Sequence, residues 1–221
     1  MNSSTLFSIR LSVQVAITAT CLLVPVGIAL GYLLARRKFI GRDLLDIVIT
    51  LPLVLPPTVT GYYLVVLFGR NGPIGGLIYD LTGWSIIFTW QAAVLASFVV
   101  ALPFMVKIAR ASFESVERQL IDASYTLGHS ELTTFFRVVI PQARKGLIAG
   151  ASLAFARALG EFGATLMLAG NIPGRTNTAP LAIYTYASSG DWPAANSLVL
   201  LFTFICGVFL YIANKFRGRI I

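Results

Sequence analysis

The chain has 221 residues, of which 57% are hydrophobic and only 12% charged, and its mean hydropathy is +0.81. That balance excludes a water-soluble globular domain of ordinary composition and requires an integral membrane protein. The formal net charge of +8 falls in clusters between apolar segments, so it reports membrane topology and attraction to anionic lipid and implies no nucleic-acid partner. Apolar stretches of about 20 residues, the length that crosses a hydrocarbon core about 30 Å thick, recur along the chain and predict about five spanning helices. No barrel-type alternation is present, so an all-α polytopic bundle is the spanning solution that satisfies its backbone internally.

The first stretch, Leu11 to Leu34, is too long for a signal-peptide core and has no basic start or clear cleavage site, so it reads as a mature helix. Cys21 within it and Cys206 in the last stretch have no metal-ligand spacing and read as small packing residues. The second stretch, Leu44 to Phe68, contains LPLVLPPTVTGYYL. Pro52, Pro56 and Pro57 there each remove a backbone donor, so the helix must kink or break. Carbonyls freed at membrane depth need protein or a water-filled cavity around them. Pro56, Pro57, Thr58 and Thr60 are therefore candidates for a translocation pathway or gate, although a packing kink accounts for the prolines equally well. A glycine-rich connection, Gly69 to Gly83, leads to the third stretch, Trp84 to Val106.

Next comes the polar segment near 112–145. Leu120, Ile121, Ala123 and Leu127 predict a short helix that ends at Gly128, where glycine takes the left-handed closing conformation cheaply. Ser130 can cap a second helix whose Leu132, Phe135, Phe136, Val139 and Ile140 form one apolar stripe. A loop with its own helices between membrane segments is suited to touching a soluble partner. His129 has no partner cluster and reads as a solvated loop residue.

The fourth stretch, Leu147 to Ala169, places Arg157 and Glu161 four residues apart in apolar helix, flanked by Gly160 and Gly163. Ionisable groups there must face the bundle interior and neutralise each other. They are candidates for the pathway or gate, with a structural ion pair as the plain alternative. Asn171 to Pro193 is too short and interrupted to span and predicts an external or re-entrant helix that helps form a docking surface. The fifth stretch is Ala195 to Ala213. Basic residues gather after the first stretch (Arg36, Arg37, Lys38, Arg42), between the third and fourth (Lys107 to Lys145) and after the fifth (Lys215, Arg217, Arg219), which predicts the N-terminus outside and the C-terminus inside. No GxxxxGK[ST] phosphate loop is present, so the chain is not expected to hydrolyse ATP itself. No catalytic or metal residue is expected either.

The order acidic residue, Ala, small residue, three residues, Gly, nine residues, apolar, any, apolar, Pro is carried by Asp122, Ala123, Ser124, Gly128, Val138, Ile140 and Pro141. It resembles the cytoplasmic EAA loop of importer-type ABC permeases, with Asp for the usual Glu and Ser for the second Ala. The runs ALGEFGATLMLAGNIPGRT, LPLVLPPTVTGYYL and FGRNGPIG look like the permease subunit of bacterial molybdate ABC importers, over most of the chain. Sulfate permeases share a variant of the GNIPG stretch but are typically longer, with an additional N-terminal span.

That resemblance implies a type I importer permease fold over a single domain, 1–221, in a bacterial inner membrane. It implies that Leu120, Asp122, Ala123, Ser124, Tyr125, Leu127 and Gly128 meet a groove of an ABC ATPase. It further implies two ATPase copies, a second permease copy as a homodimer and an external oxyanion-binding protein. ATP and Mg would be used by the partner ATPase, with no cofactor bound by this chain. Tungstate or sulfate are alternative cargoes. An ion-coupled secondary transporter, with Glu161 as its carboxylate, is the alternative from another class, although such folds usually show internal repeats and more spans.

Overall fold

The computed structural model describes residues 3–218, and these are all-helical with no strand among them. Three helices are long and apolar enough to cross a membrane: α1 (Ser3–Arg36), α5 (Trp90–Glu114) and α11 (Trp192–Gly218). Two further crossings are broken. The pair α2 (Arg42–Val54) and α3 (Pro57–Phe68) bends by 120°, and the helix Glu131–Leu159 bends by 59° into α9 (Gly163–Ala169). The expected five spans are reached only if each bent pair counts as one. The remaining helices are α4 (Pro73–Thr82), α6 (Arg118–Thr126), α7 (Glu131–Thr134), α8 (Ile140–Leu159) and α10 (Ala179–Ser188).

The core is built from small residues. Along α1 and α5, Ala16, Ala19, Ala92, Ala93, Ala96, Ala101 and Ala109 are fully buried. A Cβ at Gly27 would collide with the Met105 side chain, and one at Gly31 would lie 2.7 Å from Ala109 Cβ. Where lipid is as apolar as the side chains, such close backbone approach is what holds helices together. α8 lies against the same helix, with Gly150 within 3.2 Å of Ile108 and Met105 for an added Cβ. α11 joins at the edge through Phe155 and Phe209, whose rings are 4.2 Å apart.

Two boundaries differ from expectation. The third span begins at Trp90, six residues after Trp84, because Thr89 caps it by accepting from Ala92 N at 3.2 Å and Phe88 stands at φ 60, outside any helix. It runs on past Val106 to Glu114 because its charges are paired. Lys107 Nζ lies 2.8 Å and Arg110 Nη1 3.0 Å from the Asp46 carboxylate, and Arg110 Nε lies 2.8 Å from Glu114. The glycine-rich connection contains α4, with Pro73 in its first turn, where a missing N–H costs nothing. α10 is a ten-residue helix, too short to span. Ser12 Oγ accepts from Ala179 N at 2.7 Å and Ser8 Oγ donates to Asn177 Oδ1 at 2.6 Å, fixing α10 and its approach to the first half of α1. Arg219 and the Arg217 side chain of the C-terminal basic cluster lie outside the described residues.

Candidate functional site

The three prolines of the second stretch do different work. Pro52 is carried inside α2, while Leu55 and Pro56 are extended and Pro57 opens α3. Val59 and Thr60 N–H both return to Pro56 O, at 2.9 and 3.1 Å, so the new helix starts immediately after the break. Pro56, Pro57 and Thr58 are exposed. Thr60 is buried, and its hydroxyl has no hydrogen-bond partner.

A second break lies in the fourth span, which the apolar pattern treats as continuous. α8 stops at Leu159 and α9 starts at Gly163, so Glu161 sits between helices and not on the Arg157 face of one. Its carboxylate still reaches back. Oε2 lies 2.7 Å from Arg157 Nη1, without hydrogen-bond alignment, while Oε1 accepts from Ala164 N at 2.8 Å. Glu161 therefore pairs with the end of one helix and satisfies an orphan N–H at the start of the next. Its side chain is 1% exposed and that of Arg157 28%.

The two breaks meet. A Cβ on Gly163 would stand 2.9 Å from Pro57 Cβ, and one on Gly61 would stand 2.7 Å from Met167 Cβ and 2.9 Å from Ala164 Cα. α3 thus lies directly along α9, and the structure brings the Pro56–Thr60 segment beside the Arg157–Glu161 segment. Gly160 makes no such approach: the nearest atom to its Cβ would be Ala156 O, at 3.7 Å.

The polar segment provides a second face. α6 exposes Leu120, Asp122, Ala123 and Tyr125, and beyond its end Leu127 and Gly128 are exposed as well. Ser124 is turned inward, with Oγ 2.9 Å from Thr134 Oγ1 and 3.2 Å from His129 Nδ1. His129 is therefore a hydrogen-bonded member of the turn and not merely solvated. Gly128 has φ 80, and Gly128 N and His129 N bond back to Tyr125 O and Ser124 O. Ser130 Oγ accepts from Thr133 N at 3.3 Å. The expected stripe is split, since Val139 is buried while Leu132 and Phe136 are 71% and 65% exposed. A π-helical turn over Phe135–Val139 causes this, because its wider turn shifts the facing of every residue after it. Nor is the capped helix a separate loop element. It continues through the π turn into α8 as one helix, Glu131–Leu159, roughly 40 Å long. The bonds of Ser124 attach α6 to one end of that rod, and the break at Gly160 is the other end.

Asp46 is the residue that sequence reasoning passed over. It joins α2 to α5 through Lys107 and Arg110. A carboxylate inside the apolar stretch Leu44 to Phe68 was the available signal. Among the described residues no group of three His, Cys, Asp or Glu side chains is arranged to hold a metal.

The family model described as binding-protein-dependent transport system inner membrane component matches residues 27–220. The chain belongs to this family. Within it, the molybdenum transport system permease protein ModB of Haemophilus influenzae is 41% identical over 212 residues, covering 96% of this chain and 93% of that protein. A sulfate transport system permease protein of Salmonella typhimurium is 33% identical over 195 residues, 87% of this chain and 69% of its own. A bacterial alginate ABC transporter, solved in complex with an alginate-bound periplasmic protein, has a chain of the same fold at TM-score 0.81 and 13% identity, covering 100% of this chain and 80% of that one.

Proposed function

We propose that this chain is the pathway-forming permease of an ATP-driven molybdate importer. The observation that carries the cargo is the closer likeness to the molybdenum permease than to the sulfate permease. What supports the coupling role is mechanical. An exposed helix is fixed by Ser124, Thr134 and His129 to a rigid rod whose far end is the paired break.

In this reading two copies of the chain enclose the pathway and two ATPase subunits grip the α6 helices through Leu120, Asp122, Ala123, Tyr125, Leu127 and the Gly128 turn. Ser124 holds the helix in place from behind. ATP and Mg act on the partner ATPase, and this chain contributes no catalytic group. Closure of the ATPases displaces α6, the rod transmits the movement, and the contact between α3 and α9 changes at the breaks. An external binding protein releases the oxyanion at the opposite end, near α10 and the turn that precedes it. Along the pathway Thr58, Thr60 and Arg157 offer weak polar contacts, which let the ion leave again, while Pro56 and Pro57 form the break that presents them. Glu161 acts in this reading as the tie across the break, facing Arg157 with one oxygen and accepting from Ala164 N–H with the other.

The test is uptake of molybdate by proteoliposomes that contain the permease, its ATPase and its binding protein. ATP-dependent uptake blocked by tungstate and indifferent to sulfate supports the reading. Block by sulfate moves the cargo to the sulfate branch, and dependence on an ion gradient without ATP overturns the importer class.

A further inference from the structure

At the end of the bundle where α1 closes and α6 begins lies a cavity of about 710 Å³. Its wall carries five cations, Arg36, Arg37, Lys38, Arg42 and Arg118, against the two carboxylates Asp122 and Glu131. Glu131 is taken up by Arg37, with both oxygens 2.6 Å from Nη2. Arg36 and Arg42 bond only to backbone carbonyls, Arg36 Nη2 to Phe113 O at 2.6 Å and Arg42 Nε to Leu34 O at 3.0 Å. These bonds hold the guanidinium groups in place without cancelling their charge. Lys38 and Arg118 have no ion-pair partner among the described residues, and Arg36 Nε is buried without a hydrogen-bond partner. A concave site with this surplus of positive charge calls for an anion.

A second cavity of about 550 Å³ adjoins the first, and Tyr32, Arg37 and Glu131 line both. Its other walls are Ala29, Leu33, Leu132 and Phe135, and Leu132 is 71% exposed. Ala29 and Leu33 lie one to two turns back along α1 from the arginines, toward the apolar middle of that helix. A charged chamber at the helix end beside an apolar groove along the helix has the polarity of a phospholipid. A free oxyanion would have no use for the groove.

We infer that this double cavity binds one anionic glycerophospholipid, its phosphate among Arg36, Lys38, Arg42 and Arg118 and an acyl chain along Ala29, Leu33, Leu132 and Phe135. The bound lipid bridges α1 to α6 and so braces the helix proposed to meet the ATPase. Acidic groups of a soluble protein match the chamber but not the groove, which is why lipid is the occupant of choice.

The experiment is native mass spectrometry of the purified permease–ATPase complex, first extracted from membranes and then exchanged into bilayers of phosphatidylcholine with and without phosphatidylglycerol. Wild type is expected to retain phosphatidylglycerol. Lys38→Gln with Arg118→Gln removes two charges that hold no backbone bond, and retention should fall about tenfold or more. Ala29→Trp fills the groove without touching a charge or α6 and should produce a comparable loss, with ATPase subunits still attached. Millimolar phosphate or molybdate should not displace the lipid. Equal lipid retention in all three proteins overturns the proposal. Displacement by phosphate or molybdate together with wild-type behaviour of Ala29→Trp makes the chamber a free-oxyanion site. Loss of the ATPase from the charge variant with lipid retention unchanged makes it a protein-docking surface.

Discussion

Glu161 shows at the residue scale why a charged pair in an apolar span need not be an ordinary helix-surface pair. Because the helix stops at Leu159, one carboxylate oxygen faces Arg157 and the other accepts the Ala164 N–H. Glu161→Ala loses both and leaves a largely buried guanidinium unpaired, at a cost of about 3 kcal/mol. Glu161→Gln keeps an acceptor for the helix start and should be less destabilised by about 1 kcal/mol, the worth of a capping bond. Melting of the purified complex checks the order wild type, Gln, Ala, and equal melting of the two variants would refute the capping role. Gly128 is the other informative residue. An added Cβ there meets nothing within 4 Å, so space is no constraint, but φ 80 is. Asn tolerates that conformation while a β-branched residue does not. Gly128→Val should therefore lower stimulation of ATP hydrolysis by the loaded binding protein far more than Gly128→Asn. Equal stimulation in the two variants would mean that the turn does not set the position of α6. The backbone angle also implies that Gly128→Asp acts mainly through its charge, since Asp shares Asn's tolerance of this region.

At the scale of elements, the attachment of α6 to the rod is the step that can be tested without disturbing either end. Ser124→Ala with Thr134→Val removes the buried hydroxyl bond, worth about 1 kcal/mol, and leaves every exposed side chain of α6 in place. The expected result is retained ATP hydrolysis with less molybdate carried per ATP, measured side by side in proteoliposomes. An unchanged ratio would mean that α6 does not act through this contact. Much of this region was legible in the chain. Gly128 marks the end of one helix, Ser130 the start of the next and Pro56–Pro57 a break, because each is a local backbone rule. The continuity of Glu131–Leu159 was not legible, since Arg137, Arg144 and Lys145 interrupt the apolar pattern although they leave the backbone helical. The π turn and the Gly160 break were hidden because no backbone rule marks either of them, with no proline at the turn or the break. The start of α5 was misplaced for a related cause: Trp84 to Phe88 are apolar enough to extend the stretch, while a left-handed Phe88 and the Thr89 cap exclude them from the helix.

Taken as a whole molecule, the bundle has two chemically different ends. At one, Arg36 binds Phe113 O, Asp46 joins Lys107 and Arg110, and Arg37 meets Glu131, so the basic segments predicted to share a side are gathered into one layer. At the other, Ser8, Ser12, Asn171 and Asn177 form an uncharged polar network beneath α10. The excess of Lys and Arg near spans predicts that the first layer is cytoplasmic, and thiol labelling tests the prediction. In a background with Cys21→Ala and Cys206→Ala, the exposed positions Gln119 on α6, Ser188 on α10 and Asp80 on α4 are each replaced by Cys in turn. An impermeant maleimide added to intact cells should label Ser188→Cys and Asp80→Cys but not Gln119→Cys, and inside-out vesicles should reverse the pattern. The three positions also decide what the bends mean. Gln119 and Ser188 are separated only by the rod and α9, so labelling from one side together would make that bent pair re-entrant. Asp80 is separated from the Arg36–Arg42 layer only by α2 and α3. Labelling of Asp80→Cys from the cytoplasmic side would show that the 120° bend returns the chain to the face it left, in conflict with α5, whose Lys107 and Arg110 end is held in the Arg36–Arg42 layer by Asp46 and by Arg36 on Phe113 O.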